Sequence, residues 1–352
     1  MCYSSIMTQK RIGFCCKWLD EPRQMDGFKP KDDALKYNNR TTTVAWLNRQ
    51  TRQVAEQRLW DIMEHNTNAT LNLVKRVGLL EPEQRMVRLS SDIFPVYTEP
   101  TYGYFYNLPD VREAIAKRCA AIGEASRSHD VRVSFHPGQF CVLASDNEDV
   151  VKNSIREFEY HTDLARWMGY GNSFHDHGFK INVHISGRRG AKGIRDVWNT
   201  LSAEARNLIT IENEEHIYGI DDTLSLSDLC PTVLDVHHHW IKTGEYLQSN
   251  SDTVKLVIDS WRGVRPTLHY SVSPECVLND HDSSVLPTMT TLLESGHKKA
   301  KLRAHSDFMW NSAANRYVAT FWENFDIQVE SKAKNLASKK LYEEIVYGFA
   351  NN

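Results

Sequence analysis

The sequence predicts a (β/α)₈ barrel of the TIM type with insertions, and two observations support this fold class. Eight short apolar runs rich in β-forming residues recur along the chain, separated by segments with the 3.6-residue periodicity of helices. Strand–helix alternation calls for parallel strands, and eight repeats match a closed barrel of about 250 residues plus insertions. The competing arrangement is an open doubly wound sheet, but no G-x-G-x-x-G motif follows the first apolar run.

The individual elements follow from local pattern. One helix is predicted from the spacing of Val111, Ile115 and Cys119, and Asp110 stands where an acidic residue favours a helix N-terminus; Asp149 has the same place before the next helix. The predicted strands are, in chain order, Arg11–Cys16, Val87–Ser91, Val131–His136, Lys180–Ile185, Leu208–Glu212, Thr232–Val236, Thr267–Ser271 and Asp326–Glu330.

Length and composition favour one domain spanning residues 1–352, with a barrel core at about 11–334 and insertions at 19–82 and 274–303. No run reaches the roughly 20 apolar residues that a membrane helix needs, so no membrane contact is expected. The N-terminus lacks a secretory apolar segment, which indicates a cytoplasmic protein, associated with the nucleoid in a bacterial or viral setting. Seven cysteines without a C-x-x-C pair indicate reduced thiols. Separately, we expect the protein to be a monomer.

Net charge does not identify a partner. The formal charge of −3 lacks the strong basic excess of many nucleic-acid-binding proteins. Any contact with DNA would have to use local basic groups, such as Arg188-Arg189, Lys192 and the cluster Lys298-Lys299, Lys301, Arg303.

Histidines and carboxylates follow the predicted strands at the positions where a barrel of this type carries its functional groups. Imidazole and carboxylate are ligands that suit Zn, Mn, Fe and Mg. Glu212, Asp235 and Glu330 are the more informative members, because a carboxylate in or after an apolar run is costly unless it is paired or binds a cation. The residues at these ends are Asp92, His136, His184, Glu212, Glu214, Asp235, His238, His269 and Glu330, and the later segment Ala304-His305-Ser306-Asp307 adds His305.

Other histidines serve as internal controls. His175 and His177 are spaced like a ligand pair but precede the fourth strand, which places them at the opposite face of the barrel, so they are rejected as ligands. The run His237 to His239 is interpreted as a continuation of the sixth strand, in which alternation allows only some members to face inward. His238, three residues after Asp235, is the preferred ligand.

Nine motifs together resemble the UV damage endonuclease family, within the wider group of barrels similar to endonuclease IV and xylose isomerase. The most specific are His136-Pro137-Gly138-Gln139-Phe140 and Ala304-His305-Ser306-Asp307. The others, in family order, are Arg88 to Pro95, Asn182 to Gly187, Thr210 to Glu214, Asp235 to His238, Trp261 to Gly263, Leu268 to Ser271 and Val329 to Lys332.

The resemblance implies a three-metal site, usually filled by manganese, with Mg²⁺, Co²⁺ or Zn²⁺ as alternatives. It implies incision of damaged double-stranded DNA immediately 5′ to a UV photoproduct, and a Glu212 that bridges two ions. Gln139 and Phe140 match the pair that the family inserts into the duplex; from the residues alone, Pro137-Gly138 indicates a turn with a packed Phe140. The implied ligands are His136, His184, Glu212, Asp235, His238, His269, His305 and Glu330, of which Glu212, His136, His238 and Glu330 are the expected catalytic residues.

Two positions depart from the family pattern. The segment after Phe94-Pro95 has lost a histidine and carries Glu99, and Thr267 stands where relatives often have a lysine that can be carboxylated. Our hypothesis is that Glu99 partly replaces the missing negative charge near the ions. The departures bear on metal preference and lesion range.

Two other functions remain open at this point. A metal-dependent sugar isomerase or epimerase could use the same barrel, but it would not need Gln139-Phe140 or basic insertions beside the site. A non-catalytic DNA-binding relative is the other alternative, although all eight implied ligand positions keep a ligand-type residue.

Overall fold

The computed structural model describes residues 9–20 and 32–348, and its described part contains eight parallel strands that close into a barrel in sequence order. This confirms the predicted (β/α)₈ fold. Seven strands match the predictions to within one residue; the second stops early because a 3₁₀ helix, Ser91–Ile93, begins there. The strands are β1 Ile12–Cys15, β2 Met86–Arg88, β3 Arg132–Phe135, β4 Lys180–His184, β5 Ile209–Glu212, β6 Thr232–Asp235, β7 Thr267–Tyr270 and β8 Asp326–Val329.

Helices connect consecutive strands and cover the outside of the barrel. Two predicted ones are confirmed by their starts: Asp110 lies in the first turn of its helix, and the Asn147 side chain caps the next by accepting the N–H groups of Asp149 and Val150. The α-helices are α1 Val44–Leu47, α2 Arg52–Gly78, α3 Pro109–Ser128, α4 Glu148–Trp167, α5 Gly190–Val197, α6 Ala203–Leu208, α7 Ile220–Leu224, α8 Val236–Thr243, α9 Asp252–Ser260, α10 Met289–Glu294, α11 Lys299–Leu302, α12 Ser312–Ala319 and α13 Lys334–Glu343.

The two stretches predicted as insertions have different structures. Of residues 19–82, positions 21–31 lie outside the described residues, and much of the remainder is α2, the outer helix between β1 and β2. Residues 274–303 contain α10 and α11. Apolar side chains of this segment, among them Leu278, Met289 and Leu302, pack against Trp240 and Ile241 of α8. The segment therefore lies beside the helix that follows β6.

Charged side chains fill the barrel interior below the site. Asp326 of β8 accepts a hydrogen bond of 2.8 Å from Arg132 of β3 and one of 2.7 Å from Arg265. Because β3 and β8 are not neighbours in the barrel, these side chains meet inside it. Lys180 is also fully buried. This end of the barrel is held by buried ion pairs as well as by apolar packing.

The helices and the cysteines of the described residues bear on two expectations from the sequence, that no segment spans a membrane and that the thiols are reduced. In residues 9–20 and 32–348, every helix is too short or too polar to cross a bilayer. The cysteines that the structure describes are free thiols, and burial raises the pKa of Cys15 to about 12. That thiol is a protonated core residue at neutral pH, as its apolar surroundings in the sequence predict.

Candidate metal centre

Glu212 ends β5 at the centre of the group of histidines and carboxylates. Its side chain is completely buried, and its two carboxylate oxygens face different partners. Asn182, on the neighbouring strand β4, donates a hydrogen bond of 2.5 Å to Oε2 and accepts one from Thr210. Side chains of the neighbouring strands β4 and β5 therefore hold the Glu212 carboxylate in place without the help of an ion.

Two histidines face the Oε2 atom of Glu212. The Nε2 atoms of His136 and His184 lie 3.4 and 3.3 Å from that oxygen and 3.2 Å from each other. The other ring nitrogen of His136, Nδ1, is 3.0 Å from the Pro137 carbonyl. Since a carbonyl only accepts, Nδ1 carries the proton and Nε2 is free to bind an ion, which is the usual arrangement of a metal-binding histidine.

A second group faces the other oxygen of Glu212. His269 Nδ1 lies 3.1 Å from Oε1, and Glu212, Asp235 and His269 each offer a ligand atom within 4.8 Å of the others. Glu212 also belongs to the first group with His136 and His184. One carboxylate thus joins two sets of three ligand-type residues, the arrangement expected of a bridging ligand.

The run His237 to His239 lies on a helix, so the interpretation as a continued strand is wrong. β6 ends at Asp235, and α8 begins at the next residue because the Asp235 side chain accepts the His238 N–H at 2.7 Å and caps the helix. One helical turn then brings His238 Nδ1 within 3.4 Å of Asp235 Oδ2. All three histidines are buried, and His238 is the one that faces Glu212.

Glu330 and His305 are the two remaining residues of the implied set. Glu330 follows β8, and its Oε1 lies 3.4 Å from His269 Nδ1 while Arg88 of β2 pairs with the same oxygen. His305 is half-buried, and its ring is 6.3 Å from that of His237. Sequence reasoning did not single out Arg88, although strand alternation places it on the same side of β2 as the interior residues.

Several buried polar atoms of this group lack a hydrogen-bond partner. They include Glu212 Oε1, Asp235 Oδ2 and both ring nitrogens of His269. Leaving such atoms unsatisfied costs about 1–3 kcal/mol each, and more for charged groups. Because Glu212, Asp235 and His269 form one of the two groups of ligand-type residues, the donor set fits divalent cations, which would satisfy such atoms together.

Burial and mutual interaction shift the pKa values of the group in both directions. Burial disfavours the charged form of Glu212, but His269 and His184 outweigh this effect and hold its pKa well below the usual range. Burial raises the pKa of Asp235 well above its usual value, and burial lowers the pKa of His136 to about 3. For His238, burial is outweighed by Asp235 and Glu212, which raise its pKa to about 9.

An open cleft leads to these residues, and its rim carries an exposed loop. A turn closed by the Cys141 N–H and the Gly138 carbonyl (2.9 Å) presents Gln139 and Phe140 to solvent, and Phe140 is 86% exposed. The turn expected from Pro137-Gly138 is present, but Phe140 does not pack inside it. The cleft itself is lined by, among others, Arg88, His136, Gln139, His184, Glu214, Glu215, His216, His238, Arg303 and Glu330.

The two positions that depart from the family pattern have local partners. The Glu99 carboxylate accepts hydrogen bonds from the backbone N–H groups of Thr101 and Tyr102, at 2.9 and 2.8 Å. These bonds are typical of a residue that stabilises its own turn. Thr267 is buried in β7, and its hydroxyl has no hydrogen-bond partner in the structure.

The control histidines and the basic groups can also be placed. His175 lies before β4 at the far end of the barrel, where its Nδ1 faces the Phe179 carbonyl at 2.9 Å. Among the basic groups, Arg188 pairs with Asp146 at 3.2 Å, and Arg189 and Lys192 pair with Asp196. Arg303 is the member of these groups that lines the cleft.

The geometry can be compared with known proteins. A family model described as UV-endonuclease UvdE matches residues 29–349. A UV DNA damage endonuclease of Bacillus thuringiensis subsp. konkukian (strain 97-27) is 25% identical over 316 residues, covering 87% of this chain and 89% of that protein. The corresponding protein of Bacillus cereus (strain G9842) matches with the same identity and coverage.

Solved structures show the same fold. The crystal structure of SacUVDE matches with a TM-score of 0.65 and 23% identity, covering 89% of this chain and 94% of that one. Endonuclease IV from Thermus thermophilus matches with a TM-score of 0.50 and 11% identity, covering 82% of this chain and 95% of that one. Both support the barrel fold described above.

Proposed function

Because this chain belongs to the UV-endonuclease UvdE family, we propose that it hydrolyses the phosphodiester immediately 5′ to UV photoproducts in duplex DNA. The proposed lesions are cyclobutane pyrimidine dimers and 6-4 photoproducts, with abasic sites as a further substrate. The observation that carries the proposal is the position of Glu212, which joins two sets of ligand-type residues below an open cleft. We further propose that the protein acts as a monomer in the cytoplasm or at the nucleoid.

The proposed cofactor is three divalent ions, with Mn²⁺ first and Mg²⁺, Co²⁺ or Zn²⁺ as alternatives. When bound, such ions lower the pKa of the attacking water and neutralise charge on the phosphoryl oxygens. The donor set supports bound ions, because Glu212, Asp235 and His269 have buried polar atoms without a hydrogen-bond partner and form one group of ligand-type residues. The proposed ligands are His136, His184, Glu212, Asp235, His238, His269, His305 and Glu330; Glu99 remains a proposed contributor of charge.

Neighbouring side chains hold the two carboxylates Glu212 and Glu330 in position. Asn182 holds the Glu212 carboxylate, and Arg88 holds that of Glu330. Arg88 and Arg303 line the cleft, but each is paired with a carboxylate there, Glu330 and Glu215 respectively. In a chain whose overall charge is −3, bound divalent ions would therefore supply the uncompensated positive charge that a DNA backbone needs.

The exposed loop tip is the proposed lesion probe. An exposed aromatic ring can occupy the space of an unstacked base, and a neighbouring amide can hydrogen-bond to base edges. Gln139 lines the cleft and Phe140 projects from its rim. Their exposure supports a role in contact with DNA over a role in packing.

Replacing Phe140 with alanine should reduce incision of a duplex with one pyrimidine dimer by about 10- to 100-fold. The reason is that stacking of a base on an aromatic ring contributes about 1–3 kcal/mol.

Gln139→Ala should instead narrow the preference for damaged over undamaged duplex while metal content stays at the wild-type level. Both effects are measured by single-turnover incision and by elemental analysis.

Leu79→Ala is the matched control for the probe. Leu79 is 74% exposed but precedes β2, at the opposite end of the barrel, so its loss should leave incision unchanged. Full incision by Phe140→Ala, or an equal loss with Leu79→Ala, would remove the support for a probe loop.

Metal binding should weaken as the pH falls. Asp235, Glu212 and Glu215 raise the pKa of His238 to about 9, so this ring is protonated at neutral pH in the ion-free protein, and an ion must displace the proton. The apparent Kd for Mn²⁺ should therefore rise by about tenfold per displaced proton for each pH unit between about 8.5 and 6.5. Calorimetric titration in buffers of different ionisation enthalpy gives the number of protons released when Mn²⁺ binds. An equal Kd for Mn²⁺ at pH values of about 8.5 and 6.5 would contradict the assignment of His238 as a ligand.

Nicking of UV-irradiated supercoiled plasmid tests the proposed function. We expect nicks in irradiated plasmid with Mn²⁺, and none after chelation or in unirradiated plasmid. Binding to irradiated DNA without nicking would favour the non-catalytic relative instead.

A further inference from the structure

Glu215 is a carboxylate of the cleft that lies outside the ligand set implied by the motifs. Its side chain is only 14% exposed, and its Oε2 atom lies 3.6 Å from Nε2 of His238. Neither group of three ligand-type residues around Glu212 contains Glu215. Glu215 Oε2 and His238 Nε2 therefore form a contact between a carboxylate and an imidazole that is separate from both groups.

The hydrogen bonding of His238 determines which ring nitrogen can bind an ion. Nδ1 lies 2.9 Å from the backbone carbonyl of Asn213, which can only accept, so the neutral ring carries its proton on Nδ1. Donation of one ring N–H to a backbone carbonyl is the usual support of a metal-binding histidine. The free nitrogen is Nε2, and Glu215 is the carboxylate facing it.

Arg303 holds Glu215 in this position. It donates to Glu215 Oε1 at 3.1 Å and lies 3.0 Å from the ring nitrogen Nε2 of His216. Lys242 of α8 supports the same loop by donating to the carbonyls of His216 and Ile217. One carboxylate oxygen is thus occupied by Arg303, while Oε2 remains directed at His238.

We propose that Glu215 Oε2 and His238 Nε2 are ligands of a divalent-ion position separate from the two groups around Glu212, on the cleft side of the centre. The separation of 3.6 Å can be bridged by one ion with bonds of about 2.1 Å to each atom. Arg303 acts as a positioning residue for the carboxylate. His305, a further histidine of the implied set, is half-buried, with its ring 6.3 Å from that of the neighbouring His237.

This inference rests on the proposed metal centre and deepens it, so its test measures ion binding independently of incision. Mn²⁺ is titrated into ion-free full-length protein, and the number of bound ions is measured by calorimetry and by elemental analysis after desalting. We expect the Glu215→Gln protein to bind one ion fewer than the wild type. The remaining ions should keep their Kd within about threefold, because Glu215 contacts neither group around Glu212.

Glu214→Gln is the matched control. The Glu214 carboxylate lines the same cleft, but one of its oxygens accepts the N–H groups of Ile217 and Tyr218, and a glutamine oxygen can still do so. This change removes the same charge one residue away and should leave the number of bound ions unchanged. An equal loss in both variants would mean that general negative charge, and not a ligand at Glu215, holds the ion.

Glu215→Asp provides a second variant that keeps the charge if the glutamine variant does not fold. Its shorter side chain withdraws the oxygen from His238, so the affinity for one ion should fall by about tenfold or more. Wild-type stoichiometry and Kd in the folded Glu215 variants would overturn the inference. A wild-type protein that binds no Mn²⁺ at all would contradict the proposed metal centre itself, which is a different result.

Discussion

Glu212→Gln should lower the rate of DNA incision by at least about a thousandfold, or roughly 4 kcal/mol of transition-state stabilisation. The carboxylate contacts partners on both sides, with Oε2 facing His136 and His184 and Oε1 facing His269. Glutamine keeps the shape but removes the charge and places an N–H₂ donor against one of these groups. Both sets of ligands are therefore disturbed by a single substitution.

The measurement is single-turnover incision of a dimer-containing duplex together with the bound-ion count of the same preparation. Glu214→Gln is a suitable control because its carboxylate contacts its own loop and lies outside the groups around Glu212. If Glu212→Gln kept incision within about tenfold of the wild type, the site would have been placed wrongly.

Asp326→Asn should destabilise the protein by about 3–5 kcal/mol, the cost of removing one partner from a buried ion pair. Asp326 is completely buried at the far end of the barrel and accepts hydrogen bonds from Arg132, from Arg265 and from the backbone N–H of Arg11. Without its charge, two buried guanidinium groups face each other uncompensated. An asparagine can replace one acceptor but not the charge.

Urea unfolding of the ion-free protein measures this effect apart from metal binding. Glu323→Gln is the matched control, because Glu323 pairs with the exposed Lys10 and its loss should leave the free energy of unfolding close to the wild-type value. A loss below about 1 kcal/mol for Asp326→Asn would show that the buried charges do not hold this end of the barrel together.

Much of the fold could be predicted because each strand is a short apolar run with a polar residue at its end. Glu212 illustrates the point: it follows an apolar run, and the barrel rule alone places it at the functional face. The same rule correctly put His175 at the opposite face. Positions relative to strand ends are a local property of the sequence, so they can be read without knowing the three-dimensional contacts.

What could not be predicted depends on contacts between distant segments and on helix starts. The Arg88–Glu330 pair joins residues 242 positions apart, and the Arg303–Glu215 contact joins residues 88 positions apart. Nothing local in the sequence specifies either pair. The helical turn at His238 was missed because its start depends on the capping hydrogen bond of Asp235, which competes with continuation of the strand.

Mapping the incision position on a duplex with one defined pyrimidine dimer tests whether this protein is a lesion-specific, metal-dependent endonuclease. We expect a single cut at the phosphodiester immediately 5′ to the dimer in the presence of Mn²⁺, and no cut when Mn²⁺ is withheld from ion-free protein. A cut elsewhere, equal cutting of the undamaged duplex, or cutting that persists without any divalent ion would contradict it.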